Sequence, residues 1–256
     1  VAENPSFAAF ATAANLAERA GTSTATVVRL AQALGFAGYE ELQQNVRHDY
    51  LRTLRPLEAL ASRPHVGENL FEAQLYQDLE NLRLALHSLH GDLLAEIAER
   101  IDAARQIVIV SAGSYSAVAL VLGHHLRFMG YPALVEDRGG PHLTAAISPL
   151  TASDLVIGIS FWKGAREIVG AIEWASNKGI PTIAFADTVY APLARAATLA
   201  VVFPTESASF YQSMVAPLSI TYGVIAFLAD RADENRKQIM REAEQSYDLL
   251  DISINR

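Results

Sequence analysis

Three groups of side chains in this sequence are of the types and spacings that do chemistry. The first is Ser111, Gly113, Ser114 and Ser116, in the run SAGSYS. It follows a β-branched apolar stretch at residues 107–110 and leads into an apolar-periodic segment that ends at Gly130. Hydroxyls and a glycine between a buried strand and a helix start are the parts of an anion cradle. The glycine lets the chain turn tightly, and the free N–H groups of the helix start point at the ligand. The same run also reads as a plain turn, because a short Gly/Ser stretch is weakly specific. The second group is Ser160, Phe161, Trp162, Lys163 and Arg166, directly after the apolar run LVIGI. Lys163 and Arg166 offer two cations, and an arginine engages phosphate or carboxylate through paired hydrogen bonds. A cation at a helix start gains nothing from the helix dipole, which favours a ligand over a merely solvated helix start. Phe161 and Trp162 are candidates to stack on the flat face of a ligand, to line a subunit contact, or simply to pack.

The third group is Thr22, Ser23, Thr24, Thr26 and Arg29. Ala14, Leu16, Ala17 and Ala20 mark a short helix ended by Gly21. Val27, Val28, Leu30, Ala31 and Leu34 mark a second, stopped by Gly35. Two short helices about a glycine-bearing turn form a helix-turn-helix unit, whose second helix enters the major groove with its N-terminal residues on base edges. The four hydroxyls lie at that N-terminus and can bond phosphate or bases. Arg29 lies further along and reaches phosphate or guanine. The plainer reading is a helical hairpin with a polar cap. Arg19, Arg29, Arg47 and Arg52 are balanced by Glu3, Glu18, Glu40, Glu41 and Asp49, so a single head would bind DNA weakly and would gain from pairing.

The elements that position these groups follow from the rest of the chain. Its 256 residues suit one or two domains, and 51% hydrophobic residues allow a substantial core. There is no cysteine, hence no disulfide framework and no thiolate zinc site. The formal net charge of −8 argues against general coating of nucleic acid. No apolar run approaches the roughly 18 to 20 residues of a membrane helix, no secretory leader is visible, and the expected location is cytoplasmic. The chain opens on Val1 and not Met, so its first residues are expected to be missing.

Pro56 and Pro64 mark a bent linker, with a boundary expected at residues 62–67. Asn69 and Glu72 form a near capping box. The helix after it carries Leu75, Leu79, Leu82, Leu86 and Leu89 in a heptad-like seam. That seam either packs on the chain's own second half or dimerises to space two heads. Gly91 is expected to end this helix, with Asp92 capping the next and Leu93, Ile97 and Ile101 facing inward. Strands are expected at 132–135, up to Ser160, at 181–185 and at 198–203. A last long helix is expected from about 209 to 229, bent at Pro217, with a polar helix after Asp233. Strands alternating with helices imply a parallel sheet covered on both faces.

Residues 14–42 resemble the N-terminal domain of the RpiR/MurR-type bacterial transcription regulators. The points of similarity are Ala17, Ala20, Gly21, Ser23, Thr26, Val27, Arg29, the LGF of 34–36, Gly38-Tyr39 and Leu42. Residues 93–230 resemble the SIS (sugar isomerase) domain through SAGSYS, DLVIGIS and GIPTIAFADT with APLA. The resemblance implies an α/β chain: a small all-α helix-turn-helix domain at 1–52 without most of its first helix (only the end, near residues 1–4, being present), a helical connector at 53–91, and a three-layer αβα SIS domain with a central parallel sheet at 92–256. It also implies a sensor of phosphorylated sugars.

The family's loops read G-S-S-x and I-S-x-S-G-x-T. Here Tyr115 holds the second serine position of the first loop. The second serine and the threonine of the other are replaced within 162–166. The site therefore suits a sugar phosphate held by charge, a sugar acid, or another ligand.

Glu206, Ser207 and Ser209 precede the last long helix and either reach the crevice or cap that helix. His124 and His125 lie mid-helix, one of them on the outer face, and His142 lies in a loop. The expected function is a transcription regulator, not an enzyme, with no cofactor or metal. Its partners are duplex operator DNA and a small anionic sugar or sugar phosphate, with no membrane, and it forms a homodimer or dimer of dimers. One alternative is a sugar-phosphate isomerase using Glu206 or His142 as base. Another is a dimeric interaction module whose pocket is vestigial.

Overall fold

Glycine and hydroxyl residues set the helix boundaries in the first part of the computed structural model, which describes residues 5–54, 58, 69–88, 91–162, 164–209 and 211–249. The chain divides into two compact units, 1–65 with 209–211, and 66–208 with 212–256. The first unit contains Pro5–Phe10 (α1), Ala13–Arg19 (α2), Thr24–Ala33 (α3) and Tyr39–Thr53 (α4). Thr12 caps α2 through Asn15 N–H, at 3.1 Å, and Ser23 caps α3 through Thr26 N–H, at 3.3 Å. Helix α2 ends in a Schellman motif with Gly21 at φ +62°. Gly21 N–H bonds to Glu18 O, and Thr22 N–H bonds to Ala17 O.

Helix α1 packs on α4. The Tyr39 hydroxyl and Gln43 Nε2 both donate to Ala11 O, at 2.7 and 2.5 Å, and Arg47 Nε donates to Ala9 O at 3.0 Å. These side chains satisfy carbonyls that the short α1 leaves without helical partners. Burial raises the pKa of the Tyr39 hydroxyl, against the opposing charge of Arg47. The preceding helix, expected only as a remnant near residues 1–4, occupies Pro5–Phe10; residues 1–4 lie outside the described set.

In the second unit Leu70–Ser88 (α5) and Gly91–Ala103 (α6) precede an alternating series. It runs Ile107–Ser111 (β1), Ser116–Phe128 (α7), Ala133–Glu136 (β2), Gly140–Ile147 (α8), Leu155–Ile159 (β3), Arg166–Asn177 (α9), Thr182–Ala186 (β4), Pro192–Ala196 (α10), Leu199–Val202 (β5), Val215–Asp230 (α11) and Glu234–Leu249 (α12). The strands form one parallel sheet in the order β2-β1-β3-β4-β5. All residues of β1, β3 and β4 are buried. Along β1, Ile107 and Ile109 pack with Leu122 and Leu126 of α7, Ile97 and Ile101 of α6 and Val224 of α11. Val108 and Val110 pack with Leu143, Ile147, Ile168 and Ile172 of α8 and α9. The period-two alternation thus feeds two cores, which is why these strands read as continuous apolar runs.

Four expectations need correction. Gly91 opens α6, and residues 89–90 lie outside the described set. Helix α11 starts at Val215, not near 209, and Pro217 sits in its first turn. A missing N–H there removes no helical bond, so proline need not bend the helix. Leu30 of α3 and Leu34 at its C-cap are exposed, because the helix turns Val27, Val28 and Ala31 to the small core shared with α2 and α4. The Leu75–Leu79–Leu86 stripe of α5 is exposed and not packed on the chain's own second half, because Gln74, Asp78 and Asn81 of the same helix take the inward position. Asn69 does cap α5, accepting from Glu72 N–H at 3.1 Å. Among the described residues no single helix is long and apolar enough to cross a membrane.

Candidate functional site

Strand order 2-1-3-4-5 reverses direction between β1 and β3, and ligands of such sheets bind outside the carboxyl ends of the strands at that switch point. The two loops singled out from sequence leave the sheet at this place. After β1, Gly113 turns at φ +64° into one 3-10 turn, Gly113–Tyr115, and Ser116 opens α7. Gly113 and Ser114 are exposed. The Ser111 and Ser116 hydroxyls are buried without a hydrogen-bond partner. A buried hydroxyl left unpaired is costly, so two of them at a strand end mark a place where a polar ligand would recover hydrogen bonds.

After β3, Ser160 is buried and its hydroxyl accepts from Ala165 N–H at 3.3 Å, closing the loop on itself. Phe161 is buried in the core. The Tyr115 ring meets it edge-on at 5.3 Å, and it meets Phe203 at 6.1 Å. Packing is therefore its role here, and the half-buried Tyr115 ties the first loop to the second. Trp162 has φ +56°, the only non-glycine residue at positive φ among those described, and is 8% exposed. Its N–H donates to Asp187 Oδ2 at 2.6 Å. A bulky residue in this conformation is strained, and such strain persists where the surroundings over-determine it. The Asp187 clamp, from the end of β4, supplies that constraint. Arg166 is exposed at the first position of α9, and Lys163 lies outside the described residues.

Glu167, next to Arg166, spans to the neighbouring helix and accepts from Gly140 N–H at 2.9 Å. A Cβ at Gly139 would stand 2.3 Å from the Glu167 carboxylate, so glycine is what lets the acid approach. The N-terminus of α8 thus already holds an anion of the chain's own. A groove of about 450 Å³ opens beside it, lined by Leu143, Thr144, Ile147, Glu167, Ala171 and Trp174. At the end of β2 the buried Glu136 carboxylate accepts from Arg138, through its N–H at 2.9 Å and Nη2 at 2.8 Å. Burial raises the Glu136 pKa, but these bonds outweigh it and hold the carboxyl below its ordinary value. The Arg138 side chain is largely exposed.

The loop before α11 faces α5. Glu206 O accepts from Asn81 Nδ2 at 2.7 Å. Gln74 Oε1 accepts from Ser207 Oγ at 2.8 Å and from Ala208 N–H at 2.9 Å. The Ser207 hydroxyl is thereby committed to the chain's own helix. Ser209 is half-buried. His142 is exposed on α8, not in a loop, because the helix begins at Gly140. His124 is on the outer face of α7, and the His125 ring meets Tyr222 at 5.8 Å.

In the first unit Thr22, Ser23, Thr24, Thr26 and Arg29 are all exposed around the start of α3. Ser23 Oγ and Thr26 Oγ1 lie 3.0 Å apart, and Arg29 Nη2 donates to Thr26 Oγ1 at 3.3 Å. The guanidinium is thus held along the N-terminal face of the helix. Arg19 and Arg47 lie over Phe7 and Phe10, at 4.3 and 5.3 Å, whereas Arg29 is presented with the hydroxyls.

Sequence reasoning assigned no role to Asp187, Glu167, Glu136, Arg138, Gln74, Asp78 or Asn81. Asp187 stands at the carboxyl end of a strand in FADT, which is a readable signal. Glu136 and Arg138 pair with each other two residues apart, and the rest act through partners distant in sequence and leave no local pattern.

Residues 1–52 match the helix-turn-helix domain of the rpiR family, and residues 100–226 match the SIS domain. An uncharacterised HTH-type transcriptional regulator of Caldanaerobacter subterraneus is 23% identical over 98% of this chain and 89% of its own length. The sugar isomerase domain of an RpiR transcription factor from Sphaerobacter thermophilus is 30% identical, covering 68% of this chain and 97% of that one, with a TM-score of 0.65. The Vibrio vulnificus NanR protein complexed with ManNAc-6P is 21% identical, covering 99% of this chain and 90% of that one, also at 0.65, which is a likeness of fold. The chain belongs to the RpiR family of HTH-type transcriptional regulators, with a DNA-binding helix-turn-helix domain followed by a SIS domain.

Proposed function

We propose that this regulator is controlled by a small anionic sugar, a sugar phosphate in the first instance, bound between the β1 and β3 loops. The observation that carries the reading is the pair of buried, unpartnered hydroxyls of Ser111 and Ser116 at the switch point of the sheet. Gly113, Ser114, Tyr115 and Ser116 form one wall, with exposed backbone at the turn. Ser160, Trp162 and Arg166 form the other, and Lys163 joins them from the sequence. A phosphate there would take hydroxyl and N–H donors from the first loop and charge from the second. The Vibrio vulnificus relative, solved with ManNAc-6P, supports this class of effector. Phe161, Glu206 and Ser207 shape and tether the crevice, as their packing and hydrogen bonds support.

On the DNA side, α3 lies in the major groove, with Thr22, Ser23, Thr24 and Thr26 on phosphate and base edges and Arg29 beside them. The domain limits in this reading are 1–52 for DNA binding, 53–91 for the connector and 92–256 for sensing. Two copies act together, because one head whose arginines are balanced by acids binds weakly. The effector alters DNA affinity by binding one conformation better than the other.

A thermal-shift series on the full chain tests this, using ManNAc-6P, other hexose phosphates, sugar acids and the unphosphorylated sugars. The reading expects an anionic sugar to raise the melting temperature and the neutral parent sugar not to. Chemical turnover of the stabilising compound would make the protein an isomerase. No shift with any anionic sugar, while duplex DNA from a randomised pool is still selected, would leave a regulator whose pocket is vestigial.

A further inference from the structure

Helix α3 begins with a relay of three side chains, each three residues from the next. Ser23, the N-cap, accepts from Thr26 N–H at 3.3 Å, and its hydroxyl lies 3.0 Å from the Thr26 hydroxyl. Thr26 Oγ1 accepts in turn from Arg29 Nη2 at 3.3 Å. Residues three apart on a helix are neighbours on its surface, so these bonds run along one ridge of α3. All three residues are exposed, and Val27, Val28 and Ala31 make the core contacts of the helix, so packing does not account for the relay. Counting protons narrows what each group can do. The two hydroxyls carry two protons, and one of them is used between Ser23 and Thr26. The other remains, enough for a single phosphate oxygen. Arg29 spends one N–H donor on Thr26, and its remaining donors lie in one plane.

We propose that Arg29 reads a guanine of the operator, and that Thr26, braced by Ser23, is its positioning residue. The inference rests on the reading above, that α3 lies in the major groove, and adds which base is recognised and what holds the reader. A phosphate attracts a cation from many directions and needs no oriented partner. Guanine presents O6 and N7 side by side in the major groove, and a guanidinium meets both only when its plane is fixed. An exposed arginine has many rotamers, and ordering them on binding costs free energy. A hydroxyl brace lowers that cost before DNA arrives. Being neutral, it does so without cancelling the charge, as a carboxylate would. Arg29 also lies within the first two turns of Thr24–Ala33, the part of such a helix that faces base edges.

The test selects duplexes from a randomised pool with the full-length protein, then titrates variants on the selected site and on its single-base changes. Wild type is expected to prefer one guanine over other bases by roughly tenfold to a hundredfold, and to lose part of that preference when 7-deazaguanine removes N7. Arg29→Ala should abolish the preference. Thr26→Val keeps the side-chain size and the Ser23 cap, so it should lose several-fold of the preference while keeping the wild-type salt slope. Thr26→Ser should restore it. In an Arg29→Ala background Thr26→Val should cost nothing more, because no guanidinium is left to brace. An equal loss in both backgrounds would overturn the brace, since Thr26 would then touch the DNA itself. An Arg29→Ala variant that loses affinity evenly over all sequences would overturn guanine reading while leaving α3 on the DNA. Wild-type binding of the selected duplex by Arg29→Ala, Thr26→Val and Thr24→Ala alike would overturn the placement of α3 in the groove, and this proposal with it.

Discussion

Asn81, fully buried on α5, donates from Nδ2 to the backbone oxygen of Glu206 at 2.7 Å, 125 residues away in the chain. One side chain thus ties the helix that follows the linker to the loop that borders the proposed ligand crevice. Asn81→Ala leaves that carbonyl without its partner, at a cost of about 1–3 kcal/mol. The melting temperature should fall by roughly 2–4 °C per kcal/mol for a unit of this size. Asn81→Asp should be worse, because it sets an acceptor against an acceptor and buries a charge. Melts of both variants check this, and an unchanged melting temperature in each would mean that the loop is held by its other bonds.

Ser111 and Ser116 carry a prediction with two sides. Their hydroxyls have no partner in the structure, and removing an unpaired buried hydroxyl is close to neutral or stabilising. Ser116→Ala should therefore leave the melting temperature of the free protein unchanged or slightly higher. The same variant should weaken binding of an anionic sugar by on the order of tenfold, the worth of one hydrogen bond to a charged group. Calorimetry with the effector class found by thermal shift is the measurement. Wild-type affinity in Ser116→Ala would remove this hydroxyl from the site.

Arg29 is exposed, and its hydrogen bond goes to the Thr26 hydroxyl at 3.3 Å. Arg29→Ala should leave the fold intact and lower affinity for duplex DNA. If the guanidinium contacts phosphate, affinity falls across all sequences and the slope against salt drops by about one. If it reads guanine, specificity at one position relaxes by about 1–3 kcal/mol instead. Anisotropy titrations at several salt concentrations separate these outcomes, and no change at all would remove Arg29 from the interface.

Asp154 gives a pH dependence. Its side chain is fully buried, and Oδ2 accepts from Arg105 Nη2 at 2.8 Å, Thr151 N–H at 2.7 Å and Thr151 Oγ1 at 3.0 Å. Burial raises its pKa, but these bonds outweigh it and hold the carboxyl below the ordinary aspartate value. The folded state therefore binds the proton less readily than the unfolded one. The stabilisation is fully present above about pH 4, the ordinary aspartate range, and fades as pH falls through the lower folded value. Asp154→Asn should be less stable than wild type at neutral pH, and the gap should narrow in acid. Denaturant midpoints at a series of pH values test this, and a gap constant with pH would assign the loss to packing alone.

Local pattern settled much of this protein. A glycine at Gly21, a serine cap at Ser23 and apolar residues at helical spacing are sufficient for two helices and their turn, because each acts over a few residues. The β-branched runs at Ile107–Ser111 and Leu155–Ile159 similarly identify strands buried on both faces. Motifs at their ends place the crevice, because a parallel sheet brings successive strand ends to one edge.

Tertiary structure decided what each stripe and side chain meets. Periodicity shows that α5 has a leucine stripe, but not that Gln74, Asp78 and Asn81 would take the inward position. That follows from carbonyl and hydroxyl groups more than a hundred residues away, which need partners once buried. Phe161 went to the core because Phe185 and Phe203 converge there from other strands. Trp162 is held at positive φ by Asp187, and the start of α8 is taken by Glu167. A hydrogen bond or ring contact between distant residues depends on where the sheet brings them, and no spacing along the chain encodes that.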